Sequence, residues 1–203
     1  MHAGGMSPRP IYVEITIAAP IDLLWRLTQD PELHTRWDLR FSSITPTEDV
    51  PTGARRFSYE RRMPGHTIAG TGISIGETSR PGGTRTSALR FTTLDRLSPL
   101  REGRGYWRYV PVDGGVRFIT GYDYQPGWGR LADLLVRPVI GWMTAWSFDA
   151  LRIWAEHGID PADQRPWALW RRDRPRASRC IRTPQTGRMT DAPPATLATL
   201  EAP

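Results

Sequence analysis

At 203 residues, with 39% hydrophobic positions and nine Trp, the chain suits one domain with extensions and carries the material of a sizeable core. Its formal charge of +6 rests wholly on Arg and is spread thinly, residues 1–158 holding 19 Arg against 16 acids and residues 159–203 holding 8 against 5. So nearly balanced a body demands no nucleic-acid partner, and a lone Cys180 excludes an intrachain disulfide and a Cys-based metal site.

The opening MHAGGMSPRP lacks the apolar stretch of a secretory signal, so residues 1–9 read as a flexible lead and the cytoplasm as the expected compartment. Ile11–Ala18 then alternates as a strand does, with Ile11, Val13, Ile15 and Ile17 against Tyr12, Glu14 and Thr16. Ala19-Pro20 opens a short helix over Ile21–Thr28, proline standing where its missing donor costs least. Asp30-Pro31-Glu32 is a second start signal, an Asp cap followed by Pro and an acid, for a helix ending near Arg36 or Trp37. Two such short helices must pack on something larger.

Six strands follow, at about Leu39–Thr47, Ala54–Met63, Thr67–Glu77, Arg85–Asp95, Arg101–Pro111 and Gly115–Gln125. Pro51-Thr-Gly53, Pro64-Gly65, Pro81-Gly82-Gly83, Ser98-Pro99 and Asp113-Gly114-Gly115 punctuate them. Phe57 and Tyr59, Leu89 and Phe91, Trp107 and Tyr109, and Phe118 and Tyr122 each alternate with polar or charged neighbours. An antiparallel meander with one solvated face reads this way. The charged positions Glu60, Arg62, Arg90, Arg108 and Arg117 then mark a solvated outer face, with a cross-strand charge ladder as the alternative.

The last long element, 127–157, reads as an amphipathic helix with an aromatic face. On a wheel of about 100° per residue, Leu135, Val139, Trp142, Met143, Trp146, Ala150, Ile153 and Trp154 share one arc. Asp149, Arg152 and Glu156 fall opposite, while Leu134, Phe148 and Leu151 stray off the stripe. Arg137-Pro138 predicts a kink or a restart. The uncharged run 138–148 is too short for the ~20 residues of a membrane span, so a core helix is the expectation, with an interfacial helix as the alternative. Beyond Gly158 the chain turns rich in Pro, Arg, Ala and Thr. A short helix around Ala162–Arg172 carries Trp167 and Trp170, and the rest of 159–203 reads as a largely disordered tail. Its stretch PWALWRRDRPRASRCIR suits peripheral contact with an anionic membrane or single-stranded nucleic acid, against the plainer reading of a solubilising tail.

Strand, two short helices, six strands and a long helix make an α+β class, a curved seven-stranded antiparallel sheet wrapped around a C-terminal helix. In this order, and in the stretches IYVEITIAAPIDLLWRLTQDPELHTRWD and SFDALRIWAEHG, the chain resembles the START-like (SRPBCC) superfamily, which includes the birch-pollen-allergen-like and polyketide cyclase/dehydrase families. The resemblance covers residues 10–158. It implies a helix-grip fold whose largely apolar cavity, between sheet and helix, holds lipids, polyketides or similar small molecules. The superfamily has no shared catalytic motif, so no catalytic residue is carried over.

Residues expected to line such a cavity are Trp37, Phe57, Tyr59, Leu89, Phe91, Trp107, Tyr109, Phe118, Tyr122, Val139, Trp142, Met143 and Trp146. Each aromatic has simple core packing as its plain alternative. Inward phenols at Tyr59, Tyr109, Tyr122 and Tyr124 would need hydrogen-bond partners, which a ligand or water could supply. His2, His34, His66 and His157 show no metal-ligand spacing, and neither metal nor cofactor is expected. His34 is the candidate general base, against the plainer reading of a half-exposed polar residue. Asp38 and Arg40 suit an internal ion pair or a ligand clamp. Three functions remain open: a binder of a hydrophobic small molecule, a polyketide cyclase or aromatase using the same cavity, and an interaction or tethering protein acting through its tail.

Overall fold

The computed structural model describes residues 10–50, 52–78, 81–161, 174–184 and 193–203. Its sheet has seven antiparallel strands: β1 (Ile11–Ile17), β2 (Ser43–Asp49), β3 (Arg55–Met63), β4 (His66–Glu77), β5 (Arg85–Thr92), β6 (Leu100–Val112) and β7 (Gly115–Pro126). They lie in the order β1-β7-β6-β5-β4-β3-β2, so the meander runs outward from β7 and the first strand closes beside the last. The expected strands are all present; the largest change is the start of β2, because Asp38–Ser42 turns inward before pairing begins.

Between β1 and β2 stand α1 (Ile21–Gln29) and α2 (Pro31–Trp37). The Asp30 carboxylate accepts from the backbone N–H groups of Glu32 and Leu33 at 2.9 and 3.2 Å, with Pro31 in the first turn, as the sequence predicts. The long helix α3 (Gly129–His157) runs unbroken through Pro138, so no restart occurs there. It packs chiefly on β1 and on residues 177–179 of the tail, and only lightly on β7 and α2, not across the whole sheet.

Register fixes which side chains share the inner face. Ile11 pairs with Tyr122 and Ile15 with Phe118, Trp107 with Thr120 and Tyr109 with Phe118, so these point together toward α3. Phe118, Phe148 and Trp37 are fully or nearly fully buried there. Phe118 stacks on Phe148 at 4.5 Å between centroids and Trp37 meets Trp107 at 5.9 Å, favourable offset and tilted geometries.

The phase expected for α3 is corrected along its first half. Leu135, Val139 and Trp142 are exposed, whereas Phe148, Leu151 and the acidic Asp149 are buried. Asp149 is buried because a piece of the tail covers it. Its carboxylate accepts from Arg152 Nε at 2.7 Å, Arg176 N at 2.7 Å and Arg179 Nη1 at 2.8 Å.

The tail is therefore not free where it is described. Glu14 and Ile181 exchange backbone hydrogen bonds of 2.9 Å at the open edge of β1, and the buried Cys180 thiol donates to the Ala145 carbonyl at 3.2 Å. Residues 193–203, with the short α4 (Thr196–Thr199), lie on the outer face of the sheet, where Leu200 packs with Ala54, Ile73 and Ala88. The helix expected around Ala162–Arg172 lies outside the described residues.

The outer face also departs from a uniformly solvated one. Arg108 is buried with its guanidinium over the Tyr106 ring, and Arg117 pairs with the buried Glu14 at 3.1 Å. Glu60 and Arg62 at the far strands remain a half-exposed to exposed pair.

Candidate functional site

Within the grip, α2 and the segment after it build a buried polar centre. The Asp30 cap sets the start of α2, which turns His34 and Trp37 inward and ends on Asp38. Arg40 clasps Asp38 with a fork, Nε to Oδ1 at 2.9 Å and Nη2 to Oδ2 at 2.6 Å, and its backbone N–H adds a third bond to Oδ1. His34 Nε2 lies 3.0 Å from Asp38 Oδ2. The Arg40 guanidinium also lies over the Tyr122 ring, its carbon 5.4 Å from the ring centroid. The chain continues through Tyr122 Oη and Thr144 Oγ1, 2.8 Å apart, to the Ile140 carbonyl. One polar thread thus ties α2, β7 and α3 together across an aromatic interior.

Burial alone would raise the Asp38 carboxyl, but the Arg40 charge and the hydrogen bonds from Arg40 and His34 outweigh it and hold the group well below the usual carboxylate range. For Arg40 burial works toward loss of the proton and the Asp38 charge overrules it, so the guanidinium is held more firmly charged than usual. Tyr122 is raised chiefly by burial. Such a pair orients more than it stabilises, since desolvation offsets most of its attraction.

All four phenols singled out from the sequence have partners within the protein. Tyr109 Oη meets Thr28 Oγ1 at 2.6 Å and Gln29 Nε2 at 3.1 Å, and Tyr124 donates to Asp133 at 2.6 Å. Tyr59 donates to the Thr92 carbonyl at a long 3.4 Å, and burial pushes its phenol up to about 12. The need for a ligand to satisfy them disappears.

The expected lining residues divide into three groups. Trp37, Trp107, Tyr109, Phe118 and Trp146 are buried in the packed core beside β1 and β7. Tyr59, Tyr122, Phe57, Leu89, Phe91 and Met143 are buried or half-buried, the first five on the inner faces of β3, β5 and β7. Val139 and Trp142 are exposed, which corrects their assignment to the interior.

The sequence reading missed the glycines opposite the aromatics. Phe57 pairs with Gly72, Tyr59 with Gly70 and Phe91 with Gly103, and a Cβ on any of these glycines would overlap the paired ring. Phe57, Tyr59 and Phe91 therefore sit over glycines on the inner face as an aromatic floor, with Tyr59 and Phe91 edge to face at 86° between ring planes. The signal was present: Gly70, Gly72, Gly103 and Gly105 recur at the strand period of two. Phe41, also missed, stands over that floor, 5.6 Å from Tyr59 and 5.2 Å from His34.

Two cavities lie at the rim. One of about 280 Å³ is lined by Glu14, Ile15, Thr16, Arg152, Arg179 and Ile181, beside the docked tail. The other, about 380 Å³, lies by Ala18–Ile21 and the β6–β7 turn. Among the described residues, no cluster of three or more His, Cys, Asp or Glu is placed to hold a metal ion, and no helix is long and apolar enough to cross a membrane.

A long helix gripped by a curved antiparallel sheet defines the helix-grip, START-like class. The chain belongs to the family described as "Polyketide cyclase / dehydrase and lipid transport", which matches residues 10–153. It is 43% identical over 162 residues to a Bacillus subtilis (strain 168) protein called "Uncharacterized membrane protein YndG", covering 77% of this chain and 60% of that protein. Among solved structures, the di-domain aromatase/cyclase StfQ of the steffimycin biosynthetic pathway superposes with a TM-score of 0.56 at 14% identity, over 72% of this chain and 50% of that one. The Zhui aromatase/cyclase from Streptomyces sp. R1128 gives 0.52 at 14% identity, over 74% and 97%. Ara h 8.0201 gives 0.52 at 16%, over 72% and 96%. At these identities the likeness is one of fold.

Proposed function

We propose that the protein binds a hydrophobic small molecule, a lipid, polyketide or similar compound, over the inner faces of β3–β6. The observation that carries this reading is the aromatic floor. Phe57, Tyr59 and Phe91 lie over Gly72, Gly70 and Gly103, and two of the three rings are only half-buried. An aromatic surface left half-exposed is costly to keep wet, at about 25 cal/mol per Å², and suits an apolar guest. The Arg40–Asp38–Tyr122 centre at its margin supplies the few placed polar groups that fix a ligand's orientation. Leu39, Phe41, Leu89 and Met143 complete the lining.

The test is native mass spectrometry of protein from its own host, followed by titration with fatty and polycyclic ligands. One-to-one binding with a negative heat-capacity change is expected. Leu89→Trp, which adds bulk on the inner face two residues from Phe91, should abolish it while the fold survives. No binding at micromolar ligand would end the reading.

One observation favours a second reading, a cyclase-type enzyme. His34 is held by Asp38 and stacked on Trp37 at 5.0 Å, an oriented imidazole beside the same interior. A cavity that holds a chain in near-attack geometry needs little more than one acid–base group. His34→Gln should then slow conversion and leave affinity intact; unchanged turnover would remove His34 from the chemistry.

A further inference from the structure

The largest exposed apolar side chains gather at one pole, on two elements that touch. Along the first half of α3, Leu131, Leu134, Leu135, Val139 and Trp142 are 85%, 71%, 77%, 56% and 44% exposed, with Trp128 before them at 54%. On the β5–β6 loop, Leu94 is 91% and Leu97 57% exposed. The two elements are joined where Gly127 N–H donates to the Pro99 carbonyl at 2.7 Å. A Cβ at Gly127 would collide with the Ser98 carbonyl, so the close approach requires glycine there.

Charge at this pole is sorted by sign. The acids turn inward or are paired: Asp133 with Tyr124 and Arg137, Asp123 with Arg137, and Asp95 with His66 at 2.7 Å. Arg96 and Arg130 face outward among the leucines.

We propose that this pole docks on an anionic phospholipid bilayer, with the leucines and Trp128 entering the headgroup boundary and Arg96 and Arg130 meeting phosphates. Side chains as exposed as Leu94 and Leu131 stand clear of the body. They fit a deformable surface with hydrocarbon below and negative charge at the rim. A protein partner would instead need a preformed counter-surface of matching shape. Docking here is independent of what the interior holds, and no ligand is needed to observe it.

The test is flotation of the full chain with vesicles of phosphatidylcholine, alone or mixed with phosphatidylglycerol. The protein should float with the mixed vesicles, and less with the neutral ones or in high salt. Leu131→Asp with Leu134→Asp should lower the bound fraction by on the order of tenfold, and Arg96→Glu with Arg130→Glu should remove the preference for mixed vesicles. Val112→Asp, an exposed apolar position at the opposite end of β6, is the control and should change nothing. Circular dichroism and melting verify that each variant is folded. Wild-type protein that stays at the bottom overturns the proposal, as does a Leu131/Leu134 variant that floats like wild type. A wild-type dimer that these two substitutions split, with no flotation, would assign the pole to a second copy instead.

Discussion

The two halves of α3 belong to one helix and live in different solvents. From Thr144 to Leu151 every residue is buried, on sides that a wheel separates by half a turn. From Leu131 to Val139 only Asp133 is buried. The sheet covers one side of the second half, and residues 174–184 cover another, through the Asp149 cluster and Cys180. Nothing comparable covers the first half among the described residues. A helix is thus core or surface by what folds over it, and its own periodicity reports only the part covered by a single neighbour.

The largest contrast should appear in stability. Phe148→Ala removes a fully buried ring stacked on Phe118 and should cost about 3–5 kcal/mol in urea or guanidinium unfolding; Trp146→Ala should behave alike. A cost below about 1 kcal/mol at both would mean the second half is loosely packed, and the contrast would collapse.

Next comes the cover itself. A chain ending at Ile159 loses the Arg179 and Arg176 contacts to Asp149, the edge pairing of Ile181, and the burial of Cys180 and Leu200. Losing these hydrogen bonds and the apolar surface the tail covers is destabilising, so the melting temperature should fall by several degrees. An unchanged melting temperature would show that residues 10–158 stand alone, the division that composition alone suggests.

What the sequence made legible follows this division. Strand alternation, turn residues and the Asp30-Pro31 cap are local signals, and they placed β1, α1, α2 and the meander. Asp38 and Arg40 were legible as a pair because they are two residues apart after a helix end. The burial of Asp149 was not, because two of its three partners lie 27 and 30 positions away in a stretch whose composition reads as disordered. Leu135, Val139 and Trp142 were misplaced for the converse reason. Apolar residues usually mark an inward face, and here they mark one without cover. Gly70, Gly72 and Gly103 went unread because a glycine's partner ring sits on another strand, and register is not visible in one sequence.

Acid should probe the polar thread at the boundary between the halves. Asp38 is held below its unfolded value, so it contributes stability that is present above about pH 4 and lost as pH falls through the folded value. Asp38→Asn should flatten this acid limb and lower stability near neutrality, as Arg40 loses its carboxylate. An acid limb of the same slope in the variant would mean that other carboxylates govern it.

The smallest expected effect is the most discriminating. Leu135→Ser changes a large apolar residue in the middle of a long helix, and a core reading of the whole stripe predicts a loss of several kcal/mol. At 77% exposure there is little burial to lose. Serine costs only a few tenths of a kcal/mol in helix propensity, so stability should stay within about 0.5 kcal/mol of wild type. The two outcomes differ several-fold and need only one denaturation curve each. A large loss would mean that Leu135 is covered in the folded protein in solution, by a second copy or by another part of the chain. The exposed pole would then be an interface already in use, and vesicle binding through it would have to compete with that cover.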